Sequence, residues 1–214
     1  MKDTKRDILK EVCQDISNLY EMSLDEHSQH SQQQVAFKWY LRAAYEGNAD
    51  AQYLIGNLYY YGVMINKNYL MARKWYEKSA EQGKDDAQAR LGAMYLNGKG
   101  AGKDYHKAFI YLMEAAENSN GSALNNLGWM YKTGLGVIQD YQKASEYFQK
   151  AIENSCSTSH KHLGDLYLNG WGVKKDIEKA VYHYQIASND GNELSTKALA
   201  EIFENNLYNR KDYT

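Results

Sequence analysis

The sequence predicts an all-α solenoid of 36-residue helix–loop–helix repeats, and three observations predict it. First, a stretch of the form A-x-x-x-[LI]-G-x-x-Y returns at a fixed step of 36 residues: Ala51, Ile55, Gly56 and Tyr59, then Ala87, Leu91, Gly92 and Tyr95, then Ala123, Leu127, Gly128 and Tyr131. Ser159, Leu163, Gly164 and Tyr167 follow, and Ser195, Leu199, Ala200 and Phe203 form a fifth copy. Second, Ala36, Ala72, Ala108, Ala144 and Ala180 keep the same step and are each followed three residues later by Trp39, Trp75, Tyr111, Tyr147 and His183. Third, within one copy Ala87, Leu91, Met94 and Tyr95, and again Ala108, Tyr111, Leu112 and Ala115, fall at steps of three and four, which places each set on one face of an α-helix. A period of roughly 20 to 50 residues marks an array in which each unit buries its apolar face against its neighbours.

Residues 1–31 read as an N-terminal helix and polar loop, a degenerate capping repeat. Over 15–31 only Leu19 survives from the pattern, and EMSLDEHSQHSQQQ stands where the Gly loop belongs, as a long polar stretch. The solenoid is expected over 32–206, with full units near 51–86, 87–122, 123–158 and 159–194 and a terminal capping helix; 207–214 form a tail. In the second full unit Gly98 and Gly100 end the first helix, and Asp104 stands where a side chain caps the second. Asp140 and Asp176 repeat that role, with Asn68 in the first full copy. There the loop reads GVMINKN, with Met64 in place of the second Gly, so this turn is expected to take a different path.

Glycine in a helix interior costs about 1 kcal/mol relative to alanine. Its recurrence at Gly56, Gly92, Gly128 and Gly164 therefore implies that another helix comes close, helped by small Ala43, Ser79, Ala115, Ala151 and Ala187 on the second helices. The following Tyr fills the wedge between units, so most of the 20 tyrosines are structural. In the last helix Lys197, Glu201, Glu204 and Asn205 supply the polar face that a cap requires.

The run A-x-x-x-L-G-x-x-Y-x-x-G-x-G-V, followed by D-Y-x-K-A-x-x-Y-F and small residues, resembles the Sel-one-like repeat (SLR) family, relatives of the tetratricopeptide repeats. One copy matches throughout: Ala123, Leu127, Gly128, Tyr131, Gly134, Gly136, Val137, Asp140, Lys143, Ala144, Tyr147, Phe148 and Ala151. The likeness covers roughly 32–205. It implies a right-handed α/α superhelix whose first helices line a concave groove that holds a peptide or a protein surface.

Composition narrows the function. A net charge of -2 and a pI near 6.3 disfavour a nucleic-acid surface. Cys13 and Cys156 offer neither a disulfide framework nor a metal-type pair, which fits a reducing compartment. MKDTKRDILKEVCQDISNLY lacks the apolar core of a signal peptide, and no later run is long enough to span a membrane. A bacterial, cytoplasmic, monomeric protein without a membrane partner or small-molecule substrate is expected. His160 and His162 form an H-x-H, but two residues apart on a helix they diverge and cannot share a metal. Cys156 has no recognisable base beside it. No catalytic, cofactor or metal site is expected. Trp171 has no counterpart in the other loops, and it either packs on a neighbouring loop or forms an edge contact.

With the Leu-Gly-x-x-Tyr face buried, the opposite face of each first helix is the candidate partner surface. It carries Tyr53, Asn57, Tyr60, Tyr61, Asn97, Asn125, Trp129, Lys132, Lys161, Asp165 and Asn169, with Ala89, Ala93, Leu96, Thr133 and Leu168 beside them. Tyr60, Tyr61 and Trp129 are bulky where the pattern demands no bulk, as binding hot spots are. The leading reading is a non-enzymatic protein- or peptide-binding module, an adaptor or regulatory scaffold. One alternative is an immunity protein that neutralises a bacterial toxin or secretion-system effector. The other is a hydrolase such as the β-lactamase-like activity of cysteine-rich family members, disfavoured because this chain has neither their Cys pairs nor their export signal.

Overall fold

Helix follows helix throughout the part of the chain that the computed structural model describes, residues 29–205, with side chains from Phe37 onward. The expected N-terminal helix, Cys13 and the 207–214 tail lie outside the described residues. The ten helices are α1 (Gln29–Tyr45), α2 (Ala49–Tyr61), α3 (Tyr69–Ala80), α4 (Asp85–Asn97), α5 (Tyr105–Glu117), α6 (Gly121–Thr133), α7 (Tyr141–Glu153), α8 (Ser159–Asn169), α9 (Ile177–Asn189) and α10 (Glu193–Glu204). No strand occurs among the described residues. Residues 29–34, expected in a polar loop, are instead the first turns of α1.

The chain divides between Lys103 and Asp104 into two compact bodies. In the N-terminal body α2 packs closely on α3, with α1 against α2 and α4 against α3. In the C-terminal body the hairpins are α6 with α7 and α8 with α9, while α5 packs on α6, α7 on α8 and α10 on α9. Each hairpin pairs a helix bearing the Gly motif with one bearing the Ala motif.

Close approach explains the glycines. A Cβ on Gly56 would stand 2.6 Å from the Tyr76 ring, on Gly128 2.7 Å from Phe148 and on Gly164 2.6 Å from Tyr184. The ring seated on each glycine comes from the second helix of the same hairpin, and Tyr76 and Phe148 are wholly buried. Ala72, Ala108, Ala144 and Ala180 are wholly buried as well. At the far end of the first hairpin the Ser79 hydroxyl donates to the Ala49 carbonyl at 2.8 Å, which ties the end of α3 to the start of α2. Tyr59 and Tyr95 are buried as expected, whereas Tyr131 and Tyr167 are half-buried and stack on Tyr147 (5.4 Å) and His183 (5.6 Å).

The caps follow the sequence. Asn68, Asp104, Asp140 and Asp176 are extended and accept hydrogen bonds from Met71, Lys107, Lys143 and Lys179 amides, each at 3.0 Å. The Met64 turn does not. Its backbone lies in the left-handed region at φ 68°, as Gly100, Gly136 and Gly172 do at 72°, 75° and 67°. The loop also closes in the same way: Asn68 donates to the Tyr59 carbonyl at 2.8 Å, as Asp140 does to Tyr131 and Asp176 to Tyr167. Loop closure fixes the path, so the departure from glycine shows up as strain. Elsewhere glycine is enforced twice, because a Cβ at Gly100 would lie 2.4 Å from the Tyr69 carbonyl oxygen and one at Gly172 2.3 Å from the Tyr141 carbonyl carbon.

At Met64 the left-handed backbone costs about 1 kcal/mol. Met64→Gly is expected to raise the melting temperature by roughly 1–3 °C, the extra chain entropy of glycine offsetting part of the relief. A lower melting temperature on thermal unfolding would show that the Met64 side chain outweighs the strain.

At the C-terminal end α10 exposes Lys197, Glu201, Glu204 and Asn205 and buries Ser195 and Ile202. Phe203, at the Tyr position of its copy, is 44% exposed rather than wedged between helices.

Candidate partner-binding surface

In the N-terminal body a ring of tyrosines forms on the outer side of α2. Tyr60 meets Tyr61 at 5.0 Å and Tyr69 at 5.2 Å edge-on, its ring lies tilted 6.5 Å from Tyr76, and Tyr53 lies 5.8 Å from Tyr76. The Tyr76 hydroxyl donates to Asn57 Oδ1 at 2.7 Å. Burial raises the Tyr76 pKa, so the phenol stays a donor. Two cations reach into this group. The Arg90 guanidinium of α4 lies 5.6 Å from the Tyr61 ring and 6.0 Å from that of Tyr60. Lys99 Nζ donates to the Tyr60 hydroxyl at 2.9 Å. Tyr61 is 49% exposed and Tyr53, Asn57 and Tyr60 are half-buried. Such ring–cation contacts are worth on the order of 1 kcal/mol each.

Ala89 and Leu96, expected on this open face, are buried at 5% exposure each, because α4 turns them into the packing. Asn97 is exposed, and its amide donates back to the Ala93 carbonyl at 2.7 Å. The sequence reading missed Arg90 and Lys99. Neither position belongs to the repeat pattern, and each acquires meaning only from rings contributed by α2.

In the C-terminal body the corresponding positions bind one another. Asp165 accepts from Lys132 at 2.6 Å, from Lys161 at 2.8 Å and from the Tyr184 hydroxyl at 3.0 Å. Burial would raise the Asp165 pKa, but the two ammonium groups hold it below its ordinary value. Tyr184 on Asp165 repeats Tyr76 on Asn57 three repeats later. Asn125 Oδ1 accepts from the Ser159 hydroxyl at 2.8 Å, and the Asn169 amide donates to the Asp165 carbonyl at 2.8 Å. Trp129 is half-buried against the cluster of Ala144, Phe148, Leu163 and Leu166. The face of α6 and α8 is thus satisfied internally, whereas α2 and α4 present aromatic and cationic groups outward.

The two histidines diverge as expected. His160 Nδ1 lies 2.8 Å from His183 Nδ1, while the His162 ring stacks on Phe148 at 4.8 Å with its own Nδ1 buried and unpartnered. No group of three or more metal-ligating side chains occurs among the described residues. Cys156 Sγ stands 3.2 Å from the Thr158 hydroxyl, and His160, four residues on, is engaged by His183. Trp171 stacks on Tyr141 at 5.4 Å and carries Lys132 5.8 Å above its ring, which makes it a packing residue of its loop. No described helix is long and apolar enough to cross a membrane.

Comparison with known proteins places this architecture. Sel1 repeats match residues 18–48, 49–84, 85–120, 121–156 and 159–192. Among solved structures, a protective antigen of uropathogenic Escherichia coli strains with an SLR fold is 31% identical, with a TM-score of 0.70 over 83% of this chain and 38% of that one. A Sel1 repeat protein from Oxalobacter formigenes is 30% identical, with a TM-score of 0.72 over 88% of this chain and 74% of that one. An immunity protein from Pseudomonas aeruginosa shares the fold at 19% identity, with a TM-score of 0.54 over 85% and 67% of the two chains. This chain therefore spans 38% of the length of the Escherichia coli antigen. No curated protein matches the sequence. With five repeats in register and the same glycine-seated rings in each body, the chain belongs to the Sel1 repeat family.

Proposed function

We propose that this chain is a non-enzymatic interaction module, an adaptor or regulatory scaffold, that holds a protein or peptide segment on the outer face of its Gly-motif helices. Sel1 repeat proteins typically serve as protein-interaction modules. One observation of this chain carries the reading. Tyr53, Asn57, Tyr60 and Tyr61 form a half-open aromatic and amide surface, with Arg90 and Lys99 set against it. Asn57 uses its carbonyl oxygen on Tyr76 and keeps its amide N–H groups for a ligand, while Asn97 and Asn169 use theirs on their own helices and keep the carbonyl oxygen. In the C-terminal body the corresponding positions are Asn125, Trp129, Lys132, Lys161 and Asp165, where internal bonding leaves them less to offer.

Affinity capture from the source cell followed by mass spectrometry tests the reading. The bait is compared with its Tyr60→Ala/Tyr61→Ala variant. Loss of the two rings is expected to weaken capture of the specific partner at least tenfold while helicity by circular dichroism stays unchanged. Equal capture by both baits would move binding off this face.

A further inference from the structure

We propose that the tyrosine face of the N-terminal body selects an acidic linear peptide segment, whose Asp or Glu carboxylate is taken by Arg90 and Lys99 while a neighbouring apolar side chain lies against Tyr61. The proposal rests on the interaction-module reading and adds the chemistry of the ligand.

Both cations keep N–H donors that the chain leaves unused. Arg90 has five N–H donors in a planar fork, and the neighbours it meets on α2 are the ring faces of Tyr60 and Tyr61, which accept no in-plane hydrogen bond. Lys99 spends one N–H on the Tyr60 hydroxyl and lies 5.0 Å and 5.4 Å from the Tyr60 and Tyr69 rings. Among the described residues neither cation forms an ion pair. Of the described carboxylates of the same body, Glu77 pairs with Arg73, and Asp50 and Asp86 with Lys84.

The C-terminal body shows the contrast. Lys132 stands at the position of Tyr60 and Asp165 at that of Asn57, and the chain neutralises Lys132 itself at 2.6 Å. In the N-terminal body Asn57 stands in place of that acid, which leaves the complementary charge for a ligand to supply. A guanidinium fork is suited to two parallel bonds with a carboxylate, and each charge-assisted bond is strong enough to decide specificity. The Asn57 amide lies beside the site to donate to a peptide carbonyl. Two cations on a chain of net charge -2 are too few to follow a phosphate backbone, which favours a peptide over nucleic acid.

Random 12-residue peptides displayed on phage and selected against the full chain provide the test. Enriched peptides are expected to carry Asp or Glu within a few positions of an apolar residue. Replacing those acids by Asn or Gln is expected to weaken binding at least tenfold in fluorescence anisotropy, and Lys99→Gln in the protein severalfold. Arg90→Gln should match the loss seen on the peptide side. If that variant unfolds, the peptide substitutions and Lys99→Gln still decide the matter. Enriched peptides without acidic bias, bound equally by Lys99→Gln, would overturn the proposal and leave the interaction module standing. A selection that yields no binding peptide would count against both.

Discussion

Gly128→Val is expected to destabilise the chain by about 3 kcal/mol and to lower its melting temperature by roughly 6–12 °C. Gly128 lies inside α6 with the Phe148 ring seated on it, so that even a single Cβ would stand 2.7 Å from two ring carbons. Phe148 has no room to yield, being wholly buried among Ala144, Leu163 and Leu166. Valine gains a few tenths of a kcal/mol in helix propensity over glycine, far less than the overlap costs. Gly102→Ala is the control, because a Cβ there meets nothing within 4 Å and its φ is ordinary. That variant is expected to stay within about 0.5 kcal/mol of the parent. A Gly128→Val protein that melts with the Gly102→Ala control would sink the account of close approach. Shortening Phe148 to leucine in the valine background should recover part of the loss, since the two sites share one contact.

Legibility followed periodicity. Gly56, Gly128 and Gly164, the buried alanines and the Asp and Asn caps were all readable, because stacking imposes the same demand at each step and the residue that meets it returns. At Met64 residue type does not fix the turn: the hydrogen bond from Asn68 to Tyr59 holds the loop and methionine bears the strain. Arg90 and Lys99 were invisible for a different reason. Their partners lie about one repeat earlier on α2, and nothing in an array of otherwise similar positions announces which cation will lack an acid. Asp165 was named for exposure on a free face, yet its bonds to Lys132, Lys161 and Tyr184 depend on side chains from three helices. His183 was legible only as an occupant of an aromatic slot. That His160 approaches it is a tertiary fact.

Acid is expected to strip stability from the C-terminal body through its buried histidines. His160 and His183 meet through Nδ1 atoms at 2.8 Å, a geometry that holds one proton between two neutral rings and has no place for a second. Burial pushes the His183 pKa down to about 4, assisted by His160 and by Lys179; burial also lowers His160, with Asp190 acting the other way. Burial likewise takes His162 to about 4, with Lys132 and Lys161 adding to it and Asp165 opposing. All three pKa values fall below the ordinary value of about 6.5, so the unfolded chain takes up protons first. Their stabilising share is complete above about pH 6.5 and is lost as pH falls towards about 4. The loss is on the order of 3 kcal/mol, less than full linkage of two such shifts because the rings keep some contact with solvent. Asp165, held below its ordinary carboxylate value, adds its own loss only at lower pH.

The melting temperature is therefore expected to fall by on the order of 10 °C between pH 7.5 and pH 4.5. His183→Tyr restores the aromatic of the other repeats, stacked on Tyr167 as Tyr147 is on Tyr131. It should remove about half of that acid sensitivity. The same fall in parent and variant would place the acid lability in groups other than this histidine pair.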